Sequence, residues 1–158
     1  MGKYFTVSVK PVLPVATQIQ SNKTDLVFDA GDLMFDWTAF EIPKGAAKLV
    51  DIVMIMRGPQ TVKGMDVFFA KTDPDGSTAP GSLGTGNASA DGDGYYRNVI
   101  GAVHFNTSAF KQDLDHLTVG SLGHGATNDQ IPATVLQGVP ESGTNVGFDK
   151  LYVGATVS

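Results

Sequence analysis

The sequence predicts an all-β protein: a two-sheet antiparallel β-sandwich, with the jelly roll as one candidate topology, carrying long Gly/Asp-rich loops. Three observations lead there. The 158 residues include 19 Gly and 8 Pro, well above average usage, and these fall between short runs as turn punctuation. Within the runs, apolar residues alternate with polar ones at the strand period of two. The runs recur about eight times along the chain at the spacing typical of sandwiches. The length fits a single domain over residues 1–158, large enough to bury roughly 70% of its unfolded surface without crosslinks.

Residues 3 to 9 open the pattern, with Phe5, Val7 and Val9 on one side and Tyr4, Thr6 and Ser8 on the other. Pro11 and Pro14 limit further pairing and suggest a sheet edge. Over residues 33 to 40, Leu33, Phe35, Trp37 and Ala39 share a face, with Trp37 as the expected core anchor. Pro43-Lys44-Gly45 reads as a turn.

Residues 48 to 57 make the strongest strand. Val50, Ile52, Met54 and Met56 form one face, and Leu49, Val53 and Ile55 the other. A strand apolar on both faces is expected at the centre of a sheet, covered on both sides. The expectation is that a second layer of this chain does the covering, with a neighbouring subunit as the alternative.

A strand over 66 to 71 precedes a long loop, and another spans 97 to 105. Residues 108 to 116 suggest a helical turn. Weaker strands follow over 117 to 122 and 133 to 139. The final run, 148 to 157, places Leu151, Val153, Ala155 and Val157 inward, with Lys150, Tyr152 and Thr156 outward.

Composition excludes several functions. There is no cysteine, so disulfides, thiolate metal sites and a cysteine nucleophile are ruled out. The net charge is −5 with the basic residues scattered, which is not the footprint of a nucleic-acid binder. No apolar run reaches the ~20 residues of a membrane helix, so no membrane partner is expected. The opening residues run straight into strand-like alternation, so no secretory leader is expected. With 17% charged residues, the surface suits packing against other proteins.

The loop over 73 to 94 is the richest candidate for a ligand. Asp73, Asp75 and Ser77 alternate as at the start of a calcium loop, and Asp91 and Asp93 could close the site. Thr78 stands where the sharp turn wants glycine, and Gly84 replaces the bidentate glutamate. The loop reads as a solvated tip or reaching arm, with calcium an open alternative on Asp73, Asp75, Asp91 and Asp93. Gly76 and Gly81 have phosphate-loop spacing, but Ser82 occupies the lysine position. His104, His116 and His124 lack tight ligand spacing, and His104 is expected at a rim or interface. No Gly-x-Ser-x-Gly elbow occurs. No catalytic residue, cofactor or metal is assigned.

Residues 4 to 11, Tyr-Phe-Thr-Val-Ser-Val-Lys-Pro, resemble an opening found in virion structural proteins of marine tailed phages. So do the stretch from Phe35 to Val50, the run Asp66–Lys71, Pro80-Gly81-Ser82-Leu83-Gly84, and Leu151-Tyr152-Val153-Gly154-Ala155. The chain is most similar to small capsid decoration, or cement, proteins of phages infecting cyanobacteria and similar hosts. That resemblance implies a non-enzymatic protein on the capsid surface, assembled in the host cytoplasm. Its partners would be the major capsid protein and further copies of itself in a homo-oligomer. Tyr4, Leu49, Val53, Ile55, Tyr95, Tyr96 and Tyr152 are the expected interface residues. Two alternatives stay open: a tail or fibre component stacking host glycans on Tyr95, Tyr96 and Tyr152, and a β-sandwich hydrolase.

Overall fold

A computed structural model describes residues 4–12, 30–57, 63–71, 98–114, 117–123 and 134–158. These form β1 (Leu33–Pro43), β2 (Ala47–Lys48), β3 (Asp51–Arg57), β4 (Met65–Ala70) and β5 (Val99–Phe105). After them come β6 (Phe110–Leu114), β7 (Leu117–Gly123), β8 (Val135–Leu136), β9 (Val139–Pro140) and β10 (Phe148–Val157). Two single 3₁₀ turns, Thr107–Ala109 and Gly143–Asn145, are the helical elements among the described residues. The all-β, sandwich-like class is as the sequence predicts. The expected helical turn over 108 to 116 shrinks to Thr107–Ala109, because Phe110 already pairs with Gly120.

The first sheet has the order β1-β10-β4-β5, with β9 also against β10. The second layer is split into a three-stranded sheet β3-β7-β6 and the pair β2-β8, so there are three sheets where two were expected. All pairs are antiparallel. The last strand returns over a long connection to lie beside the first, a feature shared with Greek-key sandwiches.

One core cluster joins the layers. Val67, Phe105 and Leu151 come from the first sheet, Phe110 and Leu122 from the second, and Leu136 from β8. Ile52, Met54 and Met56 pack against it from β3. The rings of Phe105 and Phe110 lie 5.7 Å apart, stitching the layers together.

Two expectations of strand phase are corrected. On β1, the register against β10 shifts between Leu33 and Phe35 and again between Phe35 and Thr38. Each extra residue turns the following side chains over. Beyond the shifts, Phe40 and Ile42 face the core and Ala39 is exposed. Asp36 stabilises the irregularity locally. Its Oδ1 accepts the Trp37 N–H at 2.8 Å, and its carbonyl accepts the Thr38 hydroxyl at 3.1 Å. Trp37 is half-buried in a small second cluster with Leu33 and Val99 rather than in the main core.

The second correction lies between β2 and β3. Leu49 packs on the core while Val50 is exposed. Alternation breaks where the chain leaves β8 and joins β7, so Leu49 and Val53 do not share a face as expected.

Residues 4 to 12 are described but form no strand, contrary to the predicted first element. Val9 packs on the core cluster, whereas Tyr4 and Val12 are exposed. The turn after β1 closes as predicted. Gly45 adopts φ +113°, a region that favours glycine, and donates its N–H to Asp149 Oδ2 at 2.9 Å.

Candidate functional site

The second sheet presents an apolar face to solvent. The register Asp51↔Gly123, Val53↔Ser121 and Ile55↔Val119 runs unbroken along all of β3 and β7. Opposite residues in an antiparallel pair point to the same side. Ile52, Met54 and Met56 therefore turn inward with Thr118 and Leu122, the latter two fully buried. Val53 and Ile55 turn outward and are 57% and 67% exposed. Val119 sits half-buried between Ile55 and Lys111, its partners on either side. The expectation that another layer of this chain covers this face is overturned: exposure of more than half leaves both side chains in solvent.

β3 is also an edge. No described strand pairs with the side of β3 opposite β7. Proteins usually blunt such edges with bulges, prolines, lysines or shortness. Here β1 carries two register shifts and ends on Pro43, β5 has a shift where Ala70 meets Val99, and β6 has one after Lys111. The strands β2, β8 and β9 have two residues each. Only β3, among these edges, is long and regular with none of the usual devices.

The other expected interface residues divide. Tyr4 is 90% exposed on the arm of residues 4 to 12. Tyr152 is a correction: it keeps the predicted parity but is only 9% exposed. The register puts Tyr152 beside Ala70, Ala70 beside Val99, and Thr156 beside Leu33. The Leu33, Trp37 and Val99 cluster thus lies on the same face of the sheet as Tyr152 and Thr156. Leu49 is corrected as above. Tyr95, Tyr96 and the calcium candidates Asp73, Asp75, Asp91 and Asp93 lie outside the described residues.

An open groove of about 610 Å³ runs between Phe5–Ser8 of the arm and Ala39, Glu41, Phe148 and Lys150 of the first sheet. Glu41 and Lys150 are its charged lining residues, and Lys150 Nζ also pairs with Glu141 Oε1 at 2.5 Å. The hydrogen bond to Glu141 raises the Lys150 ammonium above its ordinary range, against a smaller opposing effect of burial. Asn145 Nδ2 donates to Glu41 Oε1 at 3.2 Å close by.

One constellation has the residue types of acid–base chemistry. His104 Nδ1 lies 2.8 Å from Asp66 Oδ1, and the Ser158 hydroxyl and the His104 ring both overhang Gly64. His104 and Asp66 are 52% and 37% exposed on an open sheet surface. Without enclosing walls, water competes with every charge such a site would stabilise. His104, expected at a rim or an interface, is exposed on β5, the edge strand of the first sheet among the described strands. Among the described residues no group of three His, Cys, Asp or Glu could hold a metal ion. Also among them, no helix is long and apolar enough to cross a membrane.

Sequence reasoning missed Val119 and the edge character of β3. The alternation Leu117, Val119, Ser121 was visible, but which face looked outward depended on the layer above. Comparison with protein-family models, curated proteins and solved structures returns no match.

Proposed function

We propose that this chain is a non-enzymatic structural protein of a phage virion that binds the outer capsid surface and stabilises the shell. The major capsid protein and further copies of the chain are its partners. The observation that carries the reading is the pair Val53 and Ile55, more than half exposed on a regular strand whose other face packs on the core. Aliphatic side chains aligned on a rigid sheet offer a surface for a protein partner. Their cost in water is recovered when the partner covers them.

Decoration then works by multivalency. A contact of roughly 800 Å² per partner suffices for specificity. Many modest contacts across a shell hold it collectively. The exposed Tyr4 on its unpaired arm is suited to reach a neighbour. The glycan-stacking alternative loses Tyr152, which is enclosed.

The test is the copy number of the polypeptide in purified phage particles, by calibrated mass spectrometry. Hundreds of copies per particle are expected. A handful would move the protein to the tail or fibre, and absence from particles would overturn the reading. Shell binding by Ile55→Lys protein checks the surface itself, with loss of binding expected and an unchanged far-UV spectrum.

A further inference from the structure

We infer that two copies of this chain pair edge to edge through β3, antiparallel about Met54, to form a symmetric dimer with one continuous six-stranded sheet. The inference deepens the self-association part of the proposed function and stands without the capsid part.

The argument begins with the edge. β3 offers seven residues in unbroken register with β7, and its other side is unpaired among the described residues. An unprotected, regular edge is a template for another strand. Every other described edge strand is bulged or only two residues long. The distinction therefore singles out one partner surface.

The sequence of β3 identifies the partner as a second copy. Asp-Ile-Val-Met-Ile-Met-Arg is complementary to itself when reversed. A two-fold axis through Met54 sets position 51 opposite position 57, so acid meets base at both ends. It sets Val53 opposite Ile55 twice, bringing β-branched residues, which fit the pleated surface of a sheet, directly across the strands. On the inner side Ile52 meets Met56, and Met54 meets itself, extending both cores across the junction. Such an isologous contact closes at two copies. A register slipped by two residues would lose both charge pairs.

Edge pairing has a second consequence. The two outward faces lie on the same side of the joined sheet, so Val53, Ile55 and Val119 of both copies form one apolar platform. That platform doubles the surface available to a further partner while hiding the edges that would otherwise propagate into aggregates.

The absence of cysteine makes the register directly readable. In this pairing positions 53 and 55 of opposite copies are directly across, with Cβ atoms about 4.5–5.5 Å apart, whereas 53 and 53 are diagonal at about 7–8 Å. Disulfides need about 3.5–4.5 Å, so only the direct pair closes readily. Full-length Val53→Cys and Ile55→Cys proteins would be oxidised separately and as a mixture, at about 50 µM, well above a micromolar Kd. The mixture is expected to crosslink at least tenfold more than either variant alone. Sedimentation of the unmodified chain should give a dimer. Asp51→Arg and Arg57→Asp should each weaken the dimer about tenfold, and the double exchange should restore it.

A monomer at that concentration overturns the inference. So does a dimer in which Val53→Cys alone crosslinks as well as the mixture, the signature of two faces stacked rather than two edges joined. Both results leave the particle copy number to decide the capsid reading, while a dimer missing from particles sinks that reading and keeps this one.

Discussion

β3 and β10 exchange the roles their sequences suggest. β3, apolar on both faces, has the composition of a central strand, yet among the described strands it forms an edge with Val53 and Ile55 in solvent. β10 carries Lys150, Tyr152, Gly154 and Thr156 on one face and looks half-exposed, yet Leu151 to Val157 is buried on both sides. The difference lies in neighbours. β10 has β1 and β4 on its two sides. β3 has β7 alone. Apolar residues on both faces of a strand therefore mark either a centre or a surface awaiting a partner. What separates the two is whether the remaining strands can supply a second neighbour.

The sharpest way to break this comparison is to truncate one side chain on each strand. Leu151 is fully buried in the main core. Leu151→Ala should destabilise the fold by about 2–5 kcal/mol, as removal of a large core side chain does when the surroundings only partly collapse. Ile55→Ala should change the stability of the isolated subunit by less than about 0.5 kcal/mol, the usual range for surface sites. Urea denaturation at a concentration too low for association measures both. A large loss from Ile55→Ala would mean that β3 is covered within its own chain.

How much of this was legible in the sequence follows from the same contrast. The alternation of Leu151, Val153, Ala155 and Val157 was readable because it depends only on the local period of two. The closing turn was readable from Pro43 and Gly45. The phase of β1 was not, because the two register shifts arise from pairing with β10, a partner more than a hundred residues away. Trp37 thereby went to the second face, where it packs with Leu33. For the site, Val53 and Ile55 were visible as an apolar pair, but their exposure and the free edge beside them depend on the neighbours of β3. His104 was placed at a rim or an interface by its polar character on an apolar strand, whereas its bond to Asp66 needed the register of β4 with β5.

A smaller effect tests the inner side of the second sheet. Gly120 lies opposite Phe110, whose ring covers it: a Cβ at Gly120 would stand 2.5 Å from Phe110 Cε1. Gly120→Ala should force the ring out of its place beside Phe105 and cost about 1–3 kcal/mol, the range for overpacked cores. The midpoint of denaturation checks the cost, and the near-ultraviolet spectrum reports the loss of aromatic packing. If the variant were as stable as the parent, the two sheets would not be held at a fixed spacing by that ring.

Smaller again is the tie between β10 and the turn after β1. Asp149 is 3% exposed, and its Oδ2 accepts the Gly45 N–H across 104 residues of chain. Asp149→Ala should cost about 1–3 kcal/mol, at the lower end because the exposed Gly45 N–H can turn to water. Asp149→Asn, which keeps an acceptor, should recover most of it. Amide exchange at Gly45 should quicken in the alanine variant while the amides of β7 stay protected, since the tie belongs to the first sheet alone.

The smallest expected effect distinguishes the groove side of β10 from its core side. Lys150 and Glu141 pair at the surface, with side chains 34% and 18% exposed, so solvent screens much of the attraction. Removing the charge by Lys150→Met should cost about 0.2–1 kcal/mol at neutral pH, the range of exposed pairs. The hydrogen bond to Glu141 raises the lysine above its ordinary value of 10.5 in the folded state. The folded protein therefore holds this proton more tightly than the unfolded chain. The contribution is fully present below 10.5 and is lost as pH rises through the raised folded value. Lys150→Met should erase that alkaline component, so the stability difference between variant and parent should shrink above that range. A gap that stayed constant from neutral to strongly alkaline pH would assign the loss to the packing of the lysine's methylene stem along the groove, and not to its charge.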